Sequence, residues 1–258
     1  MRIVVWNIAN KPRAFDALKT LAPDVALLNE ASPPPSASGI WRPATEGRDG
    51  ARRPWSAAVL SPHRMAEITD ARPTWRQSKR DVPFVCSRPG SWIAATVEMT
   101  QASRVTAVAL YGLLDELSDA SVHRSLSELS PVFDDPHYGQ RVVLGGDLNT
   151  WTGWPANEPF LARDRNVLQR FEALGLVDCL ALLRPKGRLE GCPCTFGDAC
   201  THTRTRRDPR RPDVPYQNDY LWASPAMAKR LRSCQALASD EWFSISDHAP
   251  IVAEFDLD

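Results

Sequence analysis

Two short apolar runs near the N-terminus, RIVVW at residues 2–6 and DVALLNE at residues 24–30, constrain the fold more than any other feature. The segment between them, RAFDALKTLA at residues 13–22, repeats its apolar residues at helical spacing. A strand-helix-strand unit of this kind is normally right-handed, and its two strands are parallel. Both strands therefore end at the same edge of a sheet, and the polar residues at those two ends are Asn7 and Glu30.

The rest of the chain continues this alternation of strand-like and helix-like segments. Further strands are predicted at residues 56–61, 92–99, 104–112, 141–144 and 217–224, with a last strand after residue 248. Helices are predicted over residues 117–133 and 165–175, and Gly175 is expected to be the C-cap of the second. The segments 32–54 and 184–215 are expected to be irregular, and the second of them is basic. This order of elements indicates an α/β fold.

Composition limits the class of protein. The chain has 258 residues, of which 43% are hydrophobic, and its 31 Lys and Arg balance 31 Asp and Glu. Without a composition shift to mark a linker, we expect one domain over residues 1–258. The neutral balance argues against bulk electrostatic coating of nucleic acid, and no stretch approaches the ~18 apolar residues of a membrane span. We expect a monomeric, cytoplasmic protein with free cysteine thiols.

The stretch GGDLNTW at residues 145–151 follows a buried strand and places an acid and an amide on a loop. Ligands of open α/β sheets bind just outside the strand ends, so these side chains are predicted to belong to a site. If the last strand runs antiparallel to the first ones, polar residues from most of the chain converge on one mouth. They are Asn7, Glu30, Tyr111, Asp147, Asn149, Asp219, Asp247 and His248.

These residue types suit metal-assisted attack of water on a phosphate ester. Oxygen ligands such as those of Glu30, Asp147 and Asp247 favour Mg²⁺, for which Mn²⁺ can substitute. Asp147 would deprotonate or position the water, while His248 would donate a hydrogen bond or a proton to a phosphate oxygen.

Three further residues have supporting roles in this prediction. Asn149 would orient the attacking water, and Tyr111 would steady the anionic transition state. Asp219 would bond the other ring nitrogen of His248 and thereby fix its tautomer.

The same residues carry a resemblance to a known family. The motifs are WN at 6–7, LNE at 28–30, the strand end at Tyr111, GDLN at 146–149, NDY at 218–220 and SDHAP at 246–250. In this order they resemble the motif set of the endonuclease/exonuclease/phosphatase superfamily, whose fold is that of deoxyribonuclease I. The resemblance spans residues 4 to 255. It implies a four-layered α/β sandwich with two central mixed β-sheets flanked by helices, and Mg²⁺-dependent phosphate ester hydrolysis.

The resemblance also implies roles for single residues and narrows the substrate class. Glu30 matches the main metal ligand of related enzymes, with Asn7 and Asp247 nearby, and Asp147 and His248 match the positions of the central chemistry. Two departures, Ala9 and Leu114, stand where abasic-site nucleases of this superfamily generally carry an acid and an amide.

The Tyr at the strand end is more typical of the nuclease branches of this superfamily. We therefore expect a nuclease that cleaves phosphodiester bonds, with nucleic acid as its partner. The alternatives are a phosphatase for a small-molecule, sugar or lipid phosphate ester, and a catalytically silent binding scaffold.

Two features near the C-terminal third leave alternatives open. The thiols and imidazole of Cys192, Cys194, Cys200 and His202 are zinc-type ligands, but their spacing departs from C-x₂₋₄-C and favours inert, reduced thiols. Arg206 and Arg207 either clamp a phosphate-rich ligand or belong to a solvated, charged loop.

The role of the two tryptophans just beyond GDLN also has two alternative interpretations. Trp151, with Trp154, either offers a rim on which a base stacks or caps the core.

Overall fold

The computed structural model describes residues 1–43, 56–72, 81–100, 103–114, 118–185 and 187–257. Part of the loop expected at 32–54 and the first residue of the helix expected at 117 lie outside these residues. The same is true of Gln101 in the break expected between two strands. Within the described part of the chain, no helix is long and apolar enough to cross a membrane.

The described residues form sixteen strands and six α-helices. The strands are β1 (Arg2–Asn7), β2 (Val25–Ala31), β3 (Gly39–Pro43), β4 (Ser56–Leu60), β5 (Arg64–Glu67), β6 (Asp70–Ala71), β7 (Val82–Pro83), β8 (Trp92–Thr100), β9 (Ser103–Leu110), β10 (Val142–Asp147), β11 (Val177–Asp178), β12 (Arg206–Asp208), β13 (Arg211–Tyr216), β14 (Asp219–Ala223), β15 (Leu231–Ala236) and β16 (Ile251–Phe255). The helices are α1 (Arg13–Leu21), α2 (Ser118–Asp134), α3 (Phe160–Ala173), α4 (Cys179–Leu183), α5 (Pro225–Ala228) and α6 (Asp240–Phe243).

Two six-stranded mixed sheets form the centre of the fold. The first has the strand order β15-β16-β1-β2-β4-β3, and the second has the order β11-β14-β10-β9-β8-β5. Strands β1 and β2 are parallel, as the strand-helix-strand pattern predicts, and β16 is antiparallel to β1. Short two-stranded sheets, β12-β13 and β6-β7, complete the strand pairing.

The side chains alternate along each strand and produce four layers. Ile3 and Val5 of β1 pack with Val143 of β10 in the core between the two sheets. The opposite faces are covered by helices: Val4 and Trp6 lie in a cluster with α1, and Leu144 lies in a cluster with α2 and α3. The four-layered sandwich that the resemblance implied is therefore confirmed.

Strand directions bring the polar strand ends together. The parallel pair β1-β2 ends with Asn7 opposite Asn29, and the parallel pair β9-β10 ends in the second sheet. The antiparallel strand β14 begins where β10 ends, so that Asp219 lies opposite Asp147.

The two glycines of GGDLN are explained by close packing at this edge. A side chain at Gly145 would meet Val5 Cγ2 at 2.6 Å, across the interface between the sheets. Gly146 has φ +152°, and a Cβ there would lie 1.9 Å from the carbonyl oxygen of Leu110. The chain therefore needs both glycines to reach Asp147 without separating the strands.

Several predicted boundaries and loops are corrected. The segment 32–54 contains β3, and the segment 184–215, expected to be irregular, contains β12 and most of β13. The strand β15 was not predicted, and α3 begins at Phe160 instead of residue 165. Gly175 does follow the end of α3 with φ +78°, and its N–H bonds the carbonyl of Glu172, as expected of a C-terminal glycine.

Candidate active site

A buried histidine and two buried aspartates form the centre of the polar cluster. His248 Nδ1 lies 2.8 Å from Asp219 Oδ2, and its Nε2 lies 3.7 Å from Asp147 Oδ2. All three residues are at most 4% exposed, and their ligand atoms lie within 4.8 Å of one another. Because β14 delivers Asp219 and the segment before β16 delivers His248, this contact joins the two sheets.

The loop before β16 is fixed by hydrogen bonds to β1. Ser246 Oγ donates to the carbonyl oxygen of Asn7 at 2.8 Å and accepts the His248 N–H at 3.2 Å. The indole N–H of Trp6 donates to the carbonyl oxygen of His248 at 2.8 Å. These hydrogen bonds fix the backbone of the loop and thereby the position of the His248 imidazole.

Asp147 is held by one donor from β1 of the other sheet and one from the loop that follows β10. Asn7 Nδ2 donates to Asp147 Oδ2 at 2.9 Å, and the Asn149 N–H donates to Oδ1 at 2.9 Å. The N–H of Asp147 itself donates to Asn29 Oδ1 at 2.7 Å. The carboxylate therefore has little freedom to rotate, and one oxygen faces both Asn7 and His248.

The electrostatics of this centre are dominated by burial and by the mutual effects of its charges. Burial, opposed by the charge of His248 and assisted by that of Asp219, raises the pKa of Asp147 to about 7. Burial alone would lower the pKa of His248, but the carboxylates of Asp219 and Asp147 together raise it to about 10. The two carboxylates thus favour the charged imidazolium form of His248, and Nδ1 is hydrogen-bonded to Asp219.

Glu30 lies beside this centre in an unusual backbone conformation. Its Oε1 accepts hydrogen bonds from Tyr111 OH at 2.7 Å and from Asn7 Nδ2 at 3.2 Å. Its φ is +47°, in the left-handed region that a non-glycine residue with a long side chain rarely occupies. Such strain clusters at functional sites, where the surrounding structure enforces it.

Asn149 adopts the left-handed conformation more easily, because asparagine tolerates it. Its Nδ2 donates to the carbonyl oxygen of Gly112 at 2.9 Å, and its Oδ1 accepts from Asn218 Nδ2 at 3.4 Å. The amide thus links the β9 end, the β10 end and the start of β14.

Asp247 lies at the solvent-facing rim of the cluster. Its side chain is 43% exposed, and Oδ2 lies 3.9 Å from His248 Nε2 and 3.8 Å from Arg206 Nε. All eight side chains predicted to converge therefore lie at this one edge.

The two arginines predicted to clamp a phosphate face different surroundings. Arg206 lies beside Asp247, and its backbone forms an isolated bridge with His248. Arg207 forms an ion pair with Asp240, and its guanidinium lies 4.7 Å from the centre of the Phe243 ring. Only Arg206 borders the acidic cluster, because successive residues of β12 point to opposite sides.

Of the two alternatives for Trp151, the structure favours a cap on the core over a stacking rim. Its side chain is only 3% exposed, and its ring packs against Tyr216 and Trp154 at centroid distances of 4.6 and 5.0 Å. A ring with so little exposed surface offers no face on which a base can stack. Trp154 is half-buried and donates its indole N–H to Asp164 Oδ2 at 2.8 Å.

Three supporting residues were not predicted from the sequence. Asn29 accepts the Asp147 N–H, Asn218 donates to Asn149, and Thr205 Oγ1 accepts the N–H groups of Asn218 and Asp219 at 3.0 Å. Asn29 and Asn218 are part of the quoted motifs LNE and NDY, so that signal was present. Thr205, in contrast, lies in a segment without a recognisable pattern.

The carboxylate oxygens of the site are ligands that suit a hard divalent cation. Four carboxylates meet here, those of Glu30, Asp147, Asp219 and Asp247. Asp219 Oδ1 is buried without a hydrogen-bond partner. Buried carboxylates repel one another and are costly unless a cation or a hydrogen-bond donor compensates them, and His248 and Arg206 together supply only two positive charges.

Comparison with known proteins places the fold. No protein-family model matches the sequence, and neither does any curated protein. Among solved structures, the 3′ phosphatase NExo from Neisseria, bound to a product DNA hairpin, is 21% identical with a TM-score of 0.66 over 99% of each chain. An AP endonuclease from Archaeoglobus fulgidus is 18% identical with a TM-score of 0.64, also over 99% of each chain. The catalytic domain of human Nocturnin, with a bound sulfate anion, is 16% identical with a TM-score of 0.64, over 100% of this chain and 94% of that one. The fold implied by the sequence motifs is thus confirmed.

Proposed function

We propose that this chain is a Mg²⁺-dependent phosphoesterase that hydrolyses phosphodiester bonds in nucleic acid. The observation that carries the proposal is the buried His248–Asp219 pair, with Asp147 Oδ2 3.7 Å from the other ring nitrogen of His248. A scaffold without catalysis has no use for this costly group of charges.

Glu30, Asn7 and Asp247 would hold the metal. When bound, Mg²⁺ would stabilise the negative charge that builds on the phosphoryl group in the transition state. The unpaired Asp219 oxygen and the strained Glu30 backbone support a cation in this cluster.

The protein side chains then have distinct tasks. Asp147 accepts the proton of the attacking water, and Asn149, held by Gly112 and Asn218, fixes the loop from which that water is oriented. His248 donates from Nε2 to a phosphate oxygen, while Asp219 holds the proton on Nδ1 and thereby the ring orientation. Tyr111 positions Glu30 through its hydroxyl.

Nucleic acid as the substrate is supported by the solved structures of similar fold. One is a 3′ phosphatase bound to DNA, and another is an AP endonuclease. The first also favours a second candidate, a phosphomonoesterase acting at a DNA 3′ end, which the same site chemistry would serve.

A substrate panel tests the proposal. Abasic and intact duplex DNA, single-stranded DNA, RNA, a 3′-phosphorylated DNA, a generic phosphodiester and a generic phosphomonoester would be incubated with Mg²⁺ and, separately, with EDTA. We expect Mg²⁺-dependent turnover that falls by about 10²-fold or more in Asp147→Asn and in His248→Ala. Asp16→Asn, on the exposed face of α1, is the matched control and should keep full activity.

Each outcome has a defined meaning. A preference for phosphodiesters supports the nuclease, and a preference for phosphomonoesters supports the phosphatase. Turnover that survives both site variants contradicts the assignment of the site. Silence on every substrate, with the chain folded and Mg²⁺ bound, contradicts the proposed activity and leaves the binding scaffold.

A further inference from the structure

A second cluster of metal-type ligands lies outside the phosphoesterase site. Cys192, Cys194, Cys200 and His202 are each at most 5% exposed, and their ligand atoms lie within 4.8 Å of one another. The sulfurs of Cys192 and Cys200 are 3.9 Å apart, and each lies 3.4 Å from His202 Nδ1.

These separations match the edges of a zinc tetrahedron. With Zn–S bonds of about 2.3 Å and a Zn–N bond of about 2.0 to 2.1 Å, tetrahedral geometry separates two sulfurs by about 3.8 Å and a sulfur from a nitrogen by about 3.5 Å. A disulfide instead needs about 2.05 Å between sulfurs, and every one of these cysteines is free.

The neighbours of the cluster are arranged as in a metal site. Thr152 Oγ1 lies 2.9 Å from His202 Nε2, so a hydrogen bond at this nitrogen leaves Nδ1 facing the thiols. Arg184 Nη1 lies 3.2 Å from the carbonyl oxygen of Cys200 and 4.0 Å from its sulfur. Three thiolates around Zn²⁺ carry a net charge of about −1, which this guanidinium offsets.

The segment around the cluster has little regular secondary structure and a small core. Between α4 and β12 the described residues contain one 3₁₀ turn, Gly197–Ala199, and no α-helix or strand. The three cysteines form a small hydrophobic cluster of their own, with Leu189 as its only further apolar member among the described residues. A segment with so small a core is the kind that a structural metal stabilises, since metal binding there contributes directly to folding.

We propose that Cys192, Cys194, Cys200 and His202 bind one structural zinc ion. On binding, three thiols lose their protons to solvent, the imidazole binds through its neutral Nδ1, and the fourth position is closed to water. The spacing C-x-C-x₅-C-x-H departs from common zinc motifs, yet the fold brings the four atoms together.

This ion would act on the phosphoesterase site from a distance. His202 packs against Trp151 at a ring distance of 6.4 Å, and the same segment continues to Thr205, which binds the N–H groups of Asn218 and Asp219. The next residue is Arg206. The zinc thus fixes the segment that supports Asp219 and borders the acidic cluster.

Metal analysis of the whole protein tests the proposal. Protein purified under reducing conditions with zinc present, then washed free of loose metal, should contain one zinc per chain. X-ray absorption at the zinc edge should show three sulfur ligands and one nitrogen ligand, at about 2.3 and 2.0 Å. The oxygen ligands of the phosphoesterase site would not give a sulfur shell, so the two sites are distinguished.

Variants and cobalt supply independent readouts. Cys200→Ser should reduce bound zinc by about tenfold or more, whereas Cys234→Ser, which removes a thiol from β15, should keep it. Co²⁺ in the wild-type protein should give the thiolate charge-transfer and tetrahedral d–d absorption bands, so the proposal stays testable if Cys200→Ser does not fold. A folded, reduced wild type without zinc, a zinc shell of oxygen and nitrogen only, or an unchanged zinc content in folded Cys200→Ser would overturn it.

Discussion

Arg206 and Arg207 are adjacent in the chain, but their guanidinium groups have different partners. Arg206 faces Asp247 across 3.8 Å at the rim of the site, where a phosphate could compete for it. Arg207 is already paired with Asp240 and packed on Phe243. A guanidinium that is only loosely paired in the free protein is the one available to a substrate phosphate.

We therefore expect Arg206→Ala to raise KM for a phosphodiester by about tenfold, the effect of losing about 1.4 kcal/mol of binding. Arg207→Ala, the matched control, should leave KM nearly unchanged because its ion pair with Asp240 lies outside the acidic cluster. Steady-state kinetics on the best substrate of the panel measures both. Equal effects of the two variants would contradict this distinction.

At this scale the sequence predicted the site residues better than their supports. Asp147, Asp219 and His248 are recognisable because each follows or precedes an apolar run in a motif. The two alternatives for Trp151 stayed open because local sequence does not tell an exposed ring from one buried under Tyr216. Asn29 was missed because its partner, the Asp147 N–H, is 118 residues away in the other sheet.

At the scale of elements, the glycines of GGDLN differ from the glycine that ends α3. Gly146 has no room for a side chain, since a Cβ would lie 1.9 Å from the Leu110 carbonyl oxygen. Gly175 has a positive φ but open space around it. Substituting Gly146 therefore tests the cost of steric crowding, whereas substituting Gly175 tests the cost of the backbone conformation alone.

Gly146→Ala is expected to lower the free energy of unfolding by more than about 3 kcal/mol, because β9 and β10 must separate. Gly175→Ala should cost only about 1 to 2 kcal/mol, the strain of a left-handed residue. Urea unfolding of both variants measures the difference. Similar losses in the two would show that the contact with Leu110 relaxes without cost.

The N-cap of α4 makes stability depend on pH. Asp178 Oδ1 accepts the N–H groups of Leu180 and Ala181, and burial raises the pKa of this carboxyl from 3.8 to about 6. Between these two values the folded state binds more protons than the unfolded state. The contribution of this group to stability is therefore fully present below about pH 4 and is lost as the pH rises through about 6.

Asp178→Asn should abolish that loss, which amounts to about 3 kcal/mol, because the amide keeps an oxygen for both N–H groups and carries no charge. We expect the variant to exceed the wild type in stability above pH 6. Asp178→Ala is the control for the cap itself: it also lacks the carboxylate, and relative to Asp178→Asn it should lose about 1 kcal/mol at every pH. Urea titrations from pH 4 to 8 decide the matter; parallel curves for Asp178→Asn and wild type would contradict the assignment.

Edge elements were the ones that the sequence did not predict. β15 alternates between half-buried and exposed residues, and β3 contains a glycine and a proline, so neither has the apolar run of a central strand. β12 and β13 contain several charged residues and also lack such an apolar run. The central strands β1, β2, β9 and β10 were all predicted, since burial on both faces makes them continuously apolar.

At the scale of the whole molecule, the four layers place the four carboxylates of the candidate site, those of Glu30, Asp147, Asp219 and Asp247, at one end of the sandwich. The layer order is α1, first sheet, second sheet, then α2 with α3. The sequence motifs implied this architecture, but the distances among the strand ends depend on how two sheets pack, which no local pattern contains.

Mg²⁺ is expected to stabilise the folded protein as a whole. At a concentration about 100 times its Kd it should add about 2.7 kcal/mol, raising Tm by about 5 to 10 °C. Glu30→Gln should lose this shift, and Glu172→Gln, an exposed acid on α3, should keep it. Thermal unfolding with and without Mg²⁺ measures the effect. An equal shift in both variants would mean that the ion binds elsewhere.

Strand β1 lies in the middle of its sheet, with β2 on one side and β16 on the other. The indole N–H of Trp6 bonds a carbonyl 242 residues later in the chain. A ribosome adding about 5 to 20 residues per second needs roughly 10 to 50 s to supply that partner. Throughout this interval one side of β1 presents unpaired backbone groups, so the nascent chain depends on chaperones or on its own β2 and α1 to keep that side from aggregating.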